Sequence, residues 1–299
     1  MKILITGARG QLGRDCVSIL NGKCAVTAVD IEELDITSAP AVSEAIHALQ
    51  PRVIINCAAF TQVDACESQV ETAWRVNADG PANLAAAAAN AGARLIHVST
   101  DYVFDGHKPV PQAYIESDAT HPLSVYGQSK LAGEERIAAS CDDYMIFRTA
   151  WLYGANGKNF IRTILGKVLN EPETRLKIVN DQYGSPTWSY ELARQIASLL
   201  TSSATGIYHA SAEGYCTWYD LSLALMEALD LTGRITACTT AEYPTPAVRP
   251  QNSILDNHRL KSENRNVMAP WQEGLKEFIK MHGQQLMAEL NQNASGAIT

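Results

Sequence analysis

The chain has 299 residues, of which 46% are hydrophobic and 19% are charged, so it can bury a large core like an ordinary globular protein. Its formal net charge is −8 at pH 7 and it has no basic block, which excludes nucleic acid as an expected partner. No uncharged apolar run approaches about 18 residues and no signal peptide is recognisable, so we expect a cytoplasmic protein without a membrane partner.

Seven cysteines are scattered along the chain, and none of them forms a Cys-x-x-Cys pattern. Structural zinc sites and disulfide frameworks both depend on regular cysteine spacing. The sequence therefore indicates reduced thiols, with neither a zinc site nor a disulfide framework.

The first predicted element is a short apolar strand over residues 3–5, followed by a glycine-rich turn and a helix that ends near Leu20. The turn consists of Gly7, Ala8, Arg9, Gly10, Gln11, Leu12 and Gly13. Such glycines let the backbone approach a pyrophosphate, which then lies at the positive end of the helix dipole. The spacing differs from Gly-x-Gly-x-x-Gly, and by itself it fits a simple tight turn equally well.

The second predicted strand, residues 25–30, ends in the carboxylate of Asp30. An acidic side chain at this position accepts hydrogen bonds from the adenosine ribose of a dinucleotide and would repel a 2′-phosphate. Because Ile31, Glu32 and Glu33 add no positive charge, the sequence favours NADH over NADPH as the cofactor. The alternative is that Asp30 only caps a turn.

Residues 34–37 are expected to open another element, in which Asp35 and Ile36 could flank the adenine of the cofactor. Alternatively, Thr37 and Ser38 simply cap the helix predicted over residues 41–49.

Two further apolar strands are predicted over residues 51–56 and 95–98. Small residues follow the first of them, at Ala58 and Ala59, and would permit close approach of a flat cofactor. The second delivers Ser99 and Thr100 at its carboxyl end.

Strands and helices alternate through the first half of the chain, which predicts an α/β fold with a Rossmann-type, doubly wound parallel sheet and ligands along its carboxyl edge. We expect residues 1–150, with about 187–213, to form a dinucleotide-binding domain. Residues 151–186 and 214–290 would form a smaller substrate-binding lobe, and residues 291–299 a disordered tail.

Tyr126 and Lys130 are four residues apart, so in a helix both side chains lie on one face. An ammonium beside a phenol lowers the pKa of the phenol towards the range of a working proton donor. The hydroxyl of Thr100 could donate a second hydrogen bond to the same substrate oxygen. The pattern outlines a carbonyl-reducing site, although Tyr-x-x-x-Lys alone also fits a solvated helix face.

Two other polar residues have competing interpretations. Arg249 follows a proline-rich segment and suits a diphosphate by its guanidinium geometry, but it would serve a structural salt bridge equally well. His97 lies in an apolar strand and is predicted to be a hydrogen-bonded core residue rather than a ligand.

Longer motifs extend over nearly the whole chain, and they occupy residues 56–67, 99–106, 126–134, 147–153, 180–187 and 244–253. With them the sequence resembles the extended short-chain dehydrogenase/reductase superfamily and, within it, the dTDP-4-dehydrorhamnose reductase family. The resemblance implies reduction of dTDP-4-dehydro-L-rhamnose to dTDP-L-rhamnose by NADH or NADPH.

The same resemblance implies residue roles. Tyr126 would protonate the C4 oxygen as hydride arrives, and Lys130 would bind the nicotinamide ribose and lower the pKa of Tyr126. Thr100 would hydrogen-bond the substrate carbonyl, while Asp101 and Trp151 would line the sugar pocket. The cofactor groove would be lined by Ala58, Ala59, Thr61 and Val98.

Tyr102 distinguishes reduction from dehydration, because related 4,6-dehydratases carry a Glu at this position. The alternatives are a reductase of a different nucleotide-linked 4-keto-deoxysugar and a non-catalytic regulatory subunit of the same fold.

Some members of the family are reported to bind magnesium at a dimer interface, so the resemblance leaves room for a homodimer and for a metal. Asp15 and Glu191 fall near candidate places, but scattered acidic residues are usually solvated. We therefore predict no metal site.

Overall fold

Six parallel strands form the central sheet of the computed structural model, which describes residues 1–170 and 175–296. They are β1 (Lys2–Thr6), β2 (Ala25–Val29), β3 (Val53–Asn56), β4 (Arg94–Thr100), β5 (Tyr144–Thr149) and β10 (Gly206–His209). Across the sheet the order is β10-β5-β4-β3-β1-β2, so the winding direction reverses between β1 and β3. The predicted doubly wound parallel sheet is confirmed, and ligands of such sheets bind at the carboxyl side of this reversal.

Helices cover both faces of the sheet because successive strand residues point to opposite faces. Ile3 and Ile5 contribute to one buried cluster, whereas Leu4 contributes to the cluster on the other face. The flanking helices are α1 (Gln11–Leu20), α2 (Ala39–Leu49), α3 (Val63–Ser68), α4 (Val70–Trp74), α5 (Gly80–Ala91), α6 (Val125–Ser140) and α8 (Ser189–Leu199). A π-helical segment, Arg75–Asp79, joins α4 to α5.

A second buried cluster belongs to the later part of the chain, where Ile161, Leu225 and Phe278 are fully buried together. Its short strands pair as β6 with β9, β7 with β12, and β8 with β11. The elements here are β6 (Leu152–Tyr153), α7 (Phe160–Asn170), β7 (Leu176–Val179), β8 (Tyr183–Gly184), β9 (Thr187–Trp188), β11 (Cys216–Thr217), α9 (Trp218–Ala228), β12 (Ile235–Cys238), α10 (His258–Ser262) and α11 (Trp271–Gly296). The division into a cofactor domain and a substrate lobe stays a prediction.

Two expectations about elements are wrong. Residues 34–37 form turns rather than a further regular element, because the Asp35 carboxylate accepts a hydrogen bond from Thr37 N–H and the side chain of Ile36 is buried beneath Gly80. The last helix extends to Gly296, so the tail does not begin at Asn291, and residues 297–299 lie outside the described part of the chain. Within the described ranges, no helix is both long and apolar enough to cross a membrane.

A buried ion pair joins helix α6 to strand β5. The Arg148 guanidinium donates from Nε to Glu134 Oε1 at 3.0 Å and from Nη2 to Oε2 at 2.6 Å, and the two side chains are only 3% and 2% exposed. The guanidinium also lies 5.2 Å from the centre of the Phe104 ring. Removing one partner would leave the other charge buried without compensation, which typically costs about 3–5 kcal/mol.

We therefore expect Glu134→Ala to lower the free energy of unfolding by about 3–5 kcal/mol, measured by urea denaturation followed by circular dichroism. The control is Arg136→Ala on the same helix, whose ion pair with Asp79 is about half exposed. That variant should lose less than about 1 kcal/mol. Equal losses of unfolding free energy in both variants would show that the buried ion pair stabilises the fold no more than the exposed one.

Candidate active site

A cavity of about 920 Å³ lies between the carboxyl ends of the central strands and the second buried cluster. Residues that follow β1, β3, β4 and β5 line one side, and Phe160 and Trp218 are among those on the other. Of the predicted site residues, the cavity is lined by Gly10, Gln11, Leu12, Gly13, Ala59, Thr61, Val98, Thr100, Asp101, Tyr126, Lys130, Trp151 and Arg249. A cavity of this size and position suits a cofactor together with a small substrate.

Five predicted cofactor residues do not line this cavity: Gly7, Asp30, Asp35, Ile36 and Ala58. Ile36 belongs to the core on the face of α2 and α5, so its proposed contact with adenine has no support in the geometry. Ser38 Oγ accepts a hydrogen bond from Ala41 N–H, which is the helix cap of the alternative interpretation.

The glycine-rich turn is shaped by close backbone contacts. Gly7 has φ of +65°, and a Cβ there would lie 2.5 Å from the backbone nitrogen of Ala58. A Cβ on Gly13 would lie 2.2 Å from the carbonyl oxygen of Gly7. Among the described residues no side chain caps helix α1 at Gly10, so its first amide groups are available to an anion such as a pyrophosphate.

The carboxylate of Asp30 accepts hydrogen bonds from the backbone N–H of Arg9 at 2.8 Å and of Ile31 at 2.9 Å. The Arg9 guanidinium forms ion pairs with Glu32 and Glu33. The sequence argument considered only the residues after Asp30 and missed Arg9, which the turn returns to the same place. Asp30 therefore caps a turn, as the alternative interpretation held. Its carboxylate oxygens keep lone pairs that can accept further hydrogen bonds.

Tyr126 and Lys130 lie on one face at the beginning of α6. The helix starts there because Ser124 Oγ accepts from Gly127 N–H at 3.2 Å and Glu67 accepts from Val125 N–H at 2.9 Å. Gly127 allows close packing, since a Cβ on it would lie 2.2 Å from the carbonyl oxygen of Tyr102.

The side-chain nitrogen of Lys130 contacts a backbone carbonyl group and a histidine ring. Lys130 Nζ lies 2.6 Å from the carbonyl oxygen of Val98 and 3.2 Å from His97 Nε2. Burial lowers the pKa of Lys130 to about 8, although the nearby Glu134 carboxylate acts in the opposite direction. His97 is thus a hydrogen-bonded core residue as predicted, but its contact with Lys130 was not foreseen.

Burial raises the pKa of the Tyr126 phenol, and the predicted lowering by Lys130 is wrong in this structure. The physical reason is that the phenol loses solvation, while the side-chain nitrogen of Lys130 contacts Val98 and His97. The Thr100 hydroxyl, which is within hydrogen-bonding reach of the phenol, has the smaller effect of lowering that pKa.

Thr100 and Asp101 form a hydrogen-bonded pair at the end of β4. The Thr100 hydroxyl donates to Asp101 Oδ1 at 2.9 Å and accepts from Tyr102 N–H at 3.2 Å. Burial raises the pKa of Asp101 to about 6, against hydrogen bonds from Ser253 and Thr100 that lower it. A carbonyl placed here would meet two hydroxyl groups, those of Thr100 and Tyr126.

An aromatic wall stands opposite these hydroxyl groups. The Trp151 and Trp218 rings are stacked, with centres 3.5 Å apart and an angle of 6° between their planes. Trp151 has φ of +47°, a strained conformation for this residue, and its Nε1–H donates to Ser253 Oγ at 3.1 Å. Sequence reasoning missed Trp218 as a site residue.

Arg249 lines the cavity and also forms a salt bridge, with its Nη2 2.9 Å from Asp64 Oδ2. Arg249 therefore forms a salt bridge, as the structural interpretation predicted, and it also lines the cavity. Besides Lys130, three further lysines line the cavity: Lys158, Lys167 and Lys177.

A model of the RmlD substrate binding domain family matches residues 1–283. The chain belongs to this family. A dTDP-4-dehydrorhamnose reductase of Aggregatibacter actinomycetemcomitans is 41% identical over 291 residues, which cover 93% of this chain and 98% of that protein. The resemblance seen in the sequence motifs is confirmed.

Solved structures of this family show the same fold. A dTDP-4-dehydrorhamnose reductase from Clostridium acetobutylicum superposes with a TM-score of 0.90 at 43% identity, covering 94% of this chain and 99% of that one. The enzyme from Bacillus anthracis, solved in complex with NADP, superposes with a TM-score of 0.89 at 35% identity and the same coverage.

Asp15 and Glu191, the two acidic residues considered for magnesium, do not belong to a group of metal ligands within the described part of the chain. Asp15 accepts a hydrogen bond from the Ser189 hydroxyl, and burial raises the pKa of Asp15 and of Glu191. Within residues 1–170 and 175–296, no three His, Cys, Asp or Glu side chains are grouped closely enough to hold a metal ion. No step of the chemistry is assigned to a metal.

The raised pKa of Asp101 predicts a stability that depends on pH. Its pKa of about 6 exceeds the ordinary 3.8, so Asp101 binds more protons in the folded state, and its contribution to the free energy of unfolding falls as pH rises from 4 to 6. Asp101→Asn should remove this dependence on pH. Above pH 6, its free energy of unfolding should exceed that of the unmodified protein by up to about 3 kcal/mol, measured by urea denaturation at several pH values.

The matched control is Asp105→Asn, because hydrogen bonds from His107 N–H and Tyr114 hold the pKa of Asp105 below its usual value. This control should gain no stability at high pH. An Asp101→Asn variant with the same pH dependence as the unmodified protein would contradict the prediction.

Proposed function

We propose that the protein uses a nicotinamide cofactor to reduce the C4 keto group of a dTDP-linked 4-keto-6-deoxy sugar. The favoured reaction converts dTDP-4-dehydro-L-rhamnose to dTDP-L-rhamnose. The observation that carries this proposal is the meeting of Thr100, Tyr126 and Lys130 in one cavity whose far end is the glycine-rich turn. The names of the relatives point to the same reaction.

The side chains suit a proton transfer that accompanies hydride transfer. A reduced nicotinamide supplies the hydride to the carbonyl carbon when it is bound. Tyr126 keeps its proton throughout the neutral range because burial raises the pKa of its phenol, and it donates this proton to the carbonyl oxygen. Thr100 would hold that oxygen by a hydrogen bond, and the product is the alcohol.

Tyr102 supports simple reduction. It occupies the position at which related dehydratases carry a glutamate, and its ring lies edge-on to Tyr126 with centres 5.5 Å apart. Burial raises the pKa of Tyr102, so it stays neutral and does not serve as a base for elimination.

The charges around the cavity favour a nucleotide diphosphate. Lys158, Lys167, Lys177 and Arg249 line it, and Asp101 is the single acidic side chain among its described lining residues. The excess of positive charge is local, because the whole chain has a net charge of −8. Arg249 and Trp151 are the proposed contacts for the diphosphate and the sugar.

The choice between NADH and NADPH depends on two opposing groups. The carboxylate of Asp30 favours the unphosphorylated ribose of NADH, as the sequence argument held. The guanidinium of Arg9 lies beside the carboxylates of Glu32 and Glu33 and could turn to a 2′-phosphate. We propose that NADH is accepted through Asp30 and that any use of NADPH depends on Arg9.

The test of the proposed function is oxidation of NADH and NADPH with dTDP-4-dehydro-L-rhamnose, compared with other nucleotide-linked 4-keto sugars. In this assay Tyr126→Phe should lower turnover by about 100-fold or more, while binding of the reduced cofactor, measured by fluorescence, stays nearly unchanged.

The control variant is Tyr114→Phe, which removes another buried phenolic hydroxyl, one bonded to Asp105 at a distance of 2.7 Å. It should keep its turnover within about two-fold. Unchanged turnover in Tyr126→Phe would refute the mechanism. If no sugar supports oxidation in the unmodified protein, the regulatory subunit becomes the better interpretation.

For the cofactor, Arg9→Ala should raise the KM for NADPH about ten-fold, because one charge-assisted hydrogen bond to the 2′-phosphate is lost. The KM for NADH is the internal control and should change less than about two-fold. Equal changes in both constants would mean that Arg9 does not meet the phosphate.

A further inference from the structure

A row of buried polar side chains runs behind the cavity, through the first, third and fourth strands, to Lys130. Thr6 Oγ1 lies 2.7 Å from Asn56 Oδ1, Asn56 Nδ2 lies 3.0 Å from His97 Nδ1, and His97 Nε2 lies 3.2 Å from Lys130 Nζ. All four side chains are at most 2% exposed. Solvent water therefore cannot serve these groups as an alternative donor or acceptor.

The orientation of the Asn56 amide is decided by a backbone group. Ala58 N–H, which can only donate, lies 3.0 Å from Asn56 Oδ1. With the amide turned the other way, this N–H would face the Asn56 NH2 group, and a buried donor would lose its acceptor. Asn56 Oδ1 therefore faces Ala58, and Asn56 Nδ2 faces His97.

This orientation decides the tautomer of His97. Asn56 Nδ2 can only donate, so His97 Nδ1 must accept and carries no proton. A doubly protonated ring would set two donors against each other, and burial lowers the pKa of His97 well below its ordinary value. The ring is consequently neutral, with its proton on Nε2, the atom that faces Lys130.

In the contact between His97 and Lys130, the histidine is then the donor and the lysine nitrogen is the acceptor. Lys130 Nζ donates to the carbonyl oxygen of Val98, 2.6 Å away, because a carbonyl can only accept. The His97 Nε2–H needs an acceptor, and Nζ can accept only through the lone pair of a neutral amine. An ammonium at this place would point an N–H at another N–H.

We propose that His97, held in its Nε2–H tautomer by Asn56, is a positioning residue that stabilises the neutral amine of Lys130. No property of the relatives is needed for this step. It follows from the donors and acceptors around one buried nitrogen.

The other groups that face Lys130 act in the opposite direction. Glu134 on the same helix, which is paired with Arg148 on β5, and Cys57 after β3 both raise the pKa of Lys130. Burial lowers it, to about 8. His97 is thus the neighbouring side chain whose hydrogen bond favours the uncharged form.

The consequence for turnover rests on the proposed function. The charged form of Lys130 would bind the cofactor ribose and is present only below the pKa of this lysine. Reduction should therefore slow as pH rises through that pKa, and His97 would place this decline at a lower pH than that of an ordinary lysine.

The first test uses the unmodified protein without cofactor. Two-bond 1H–15N spectra of histidine-labelled protein distinguish a proton on Nδ1 from one on Nε2. We expect His97 to be neutral with Nε2–H between pH 6 and 8. A proton on Nδ1, or a doubly protonated ring, would overturn the proposal whether or not the protein is a reductase.

The second test measures the pKa of Lys130 by NMR of lysine-labelled protein, with Lys130→Met identifying its resonance. In His97→Leu the pKa should rise by about one unit, since one buried hydrogen bond to the neutral amine is lost. If the protein reduces sugars, the basic limb of kcat should move upwards by the same amount.

The matched control is His209→Leu, which alters another fully buried histidine, in β10, whose Nδ1 contacts the carbonyl oxygens of Tyr114 and Asp256. It should leave the pKa of Lys130 unchanged. An unchanged or lowered pKa in His97→Leu would mean that His97 only fills space, and it would overturn the proposal. If His97→Leu does not fold, the tautomer of the unmodified protein decides alone.

Discussion

The carboxyl ends of β1 and β3 come so close together that no side chain fits between Gly7 and the backbone of Ala58. This contact lies where the winding of the sheet reverses, next to the part of the cavity that Gly10 and Cys57 line. The glycine-rich turn, the free amide groups at the start of α1 and the position of Asn56 all depend on it. The cavity therefore depends on the close approach of β1 and β3.

Burial of polar groups is the second constraint, and it affects neighbouring groups in opposite ways. Burial raises the pKa of Tyr126 and of Asp101, yet it lowers the pKa of Lys130, because in each case the charged form loses its solvation. Tyr126, the proposed proton donor, therefore stays protonated, whereas Lys130 is close to losing its charge. The ion pair of Arg148 and Glu134, by contrast, retains two charges because each compensates the other.

The second buried cluster closes the cavity with aromatic rings and lysines. Trp151, at the end of the sheet region, stacks on Trp218 from the later part of the chain, so the two parts share one wall. The backbone of Trp151 has a φ of +47°, which is uncommon for a residue other than glycine. The proposed substrate site is therefore shared between the edge of the sheet and the later part of the chain.

From the sequence alone came the order of strands and helices, the glycine-rich turn, and the common helix face of Tyr126 and Lys130. These features depend on local periodicity and on residues close together in the chain. Only the tertiary structure decided that Arg9 returns to Asp30, that Arg249 pairs with Asp64, and that the side-chain nitrogen of Lys130 contacts His97 and the Val98 carbonyl oxygen. Such contacts join distant segments, and packing sets their orientation, which no local pattern encodes.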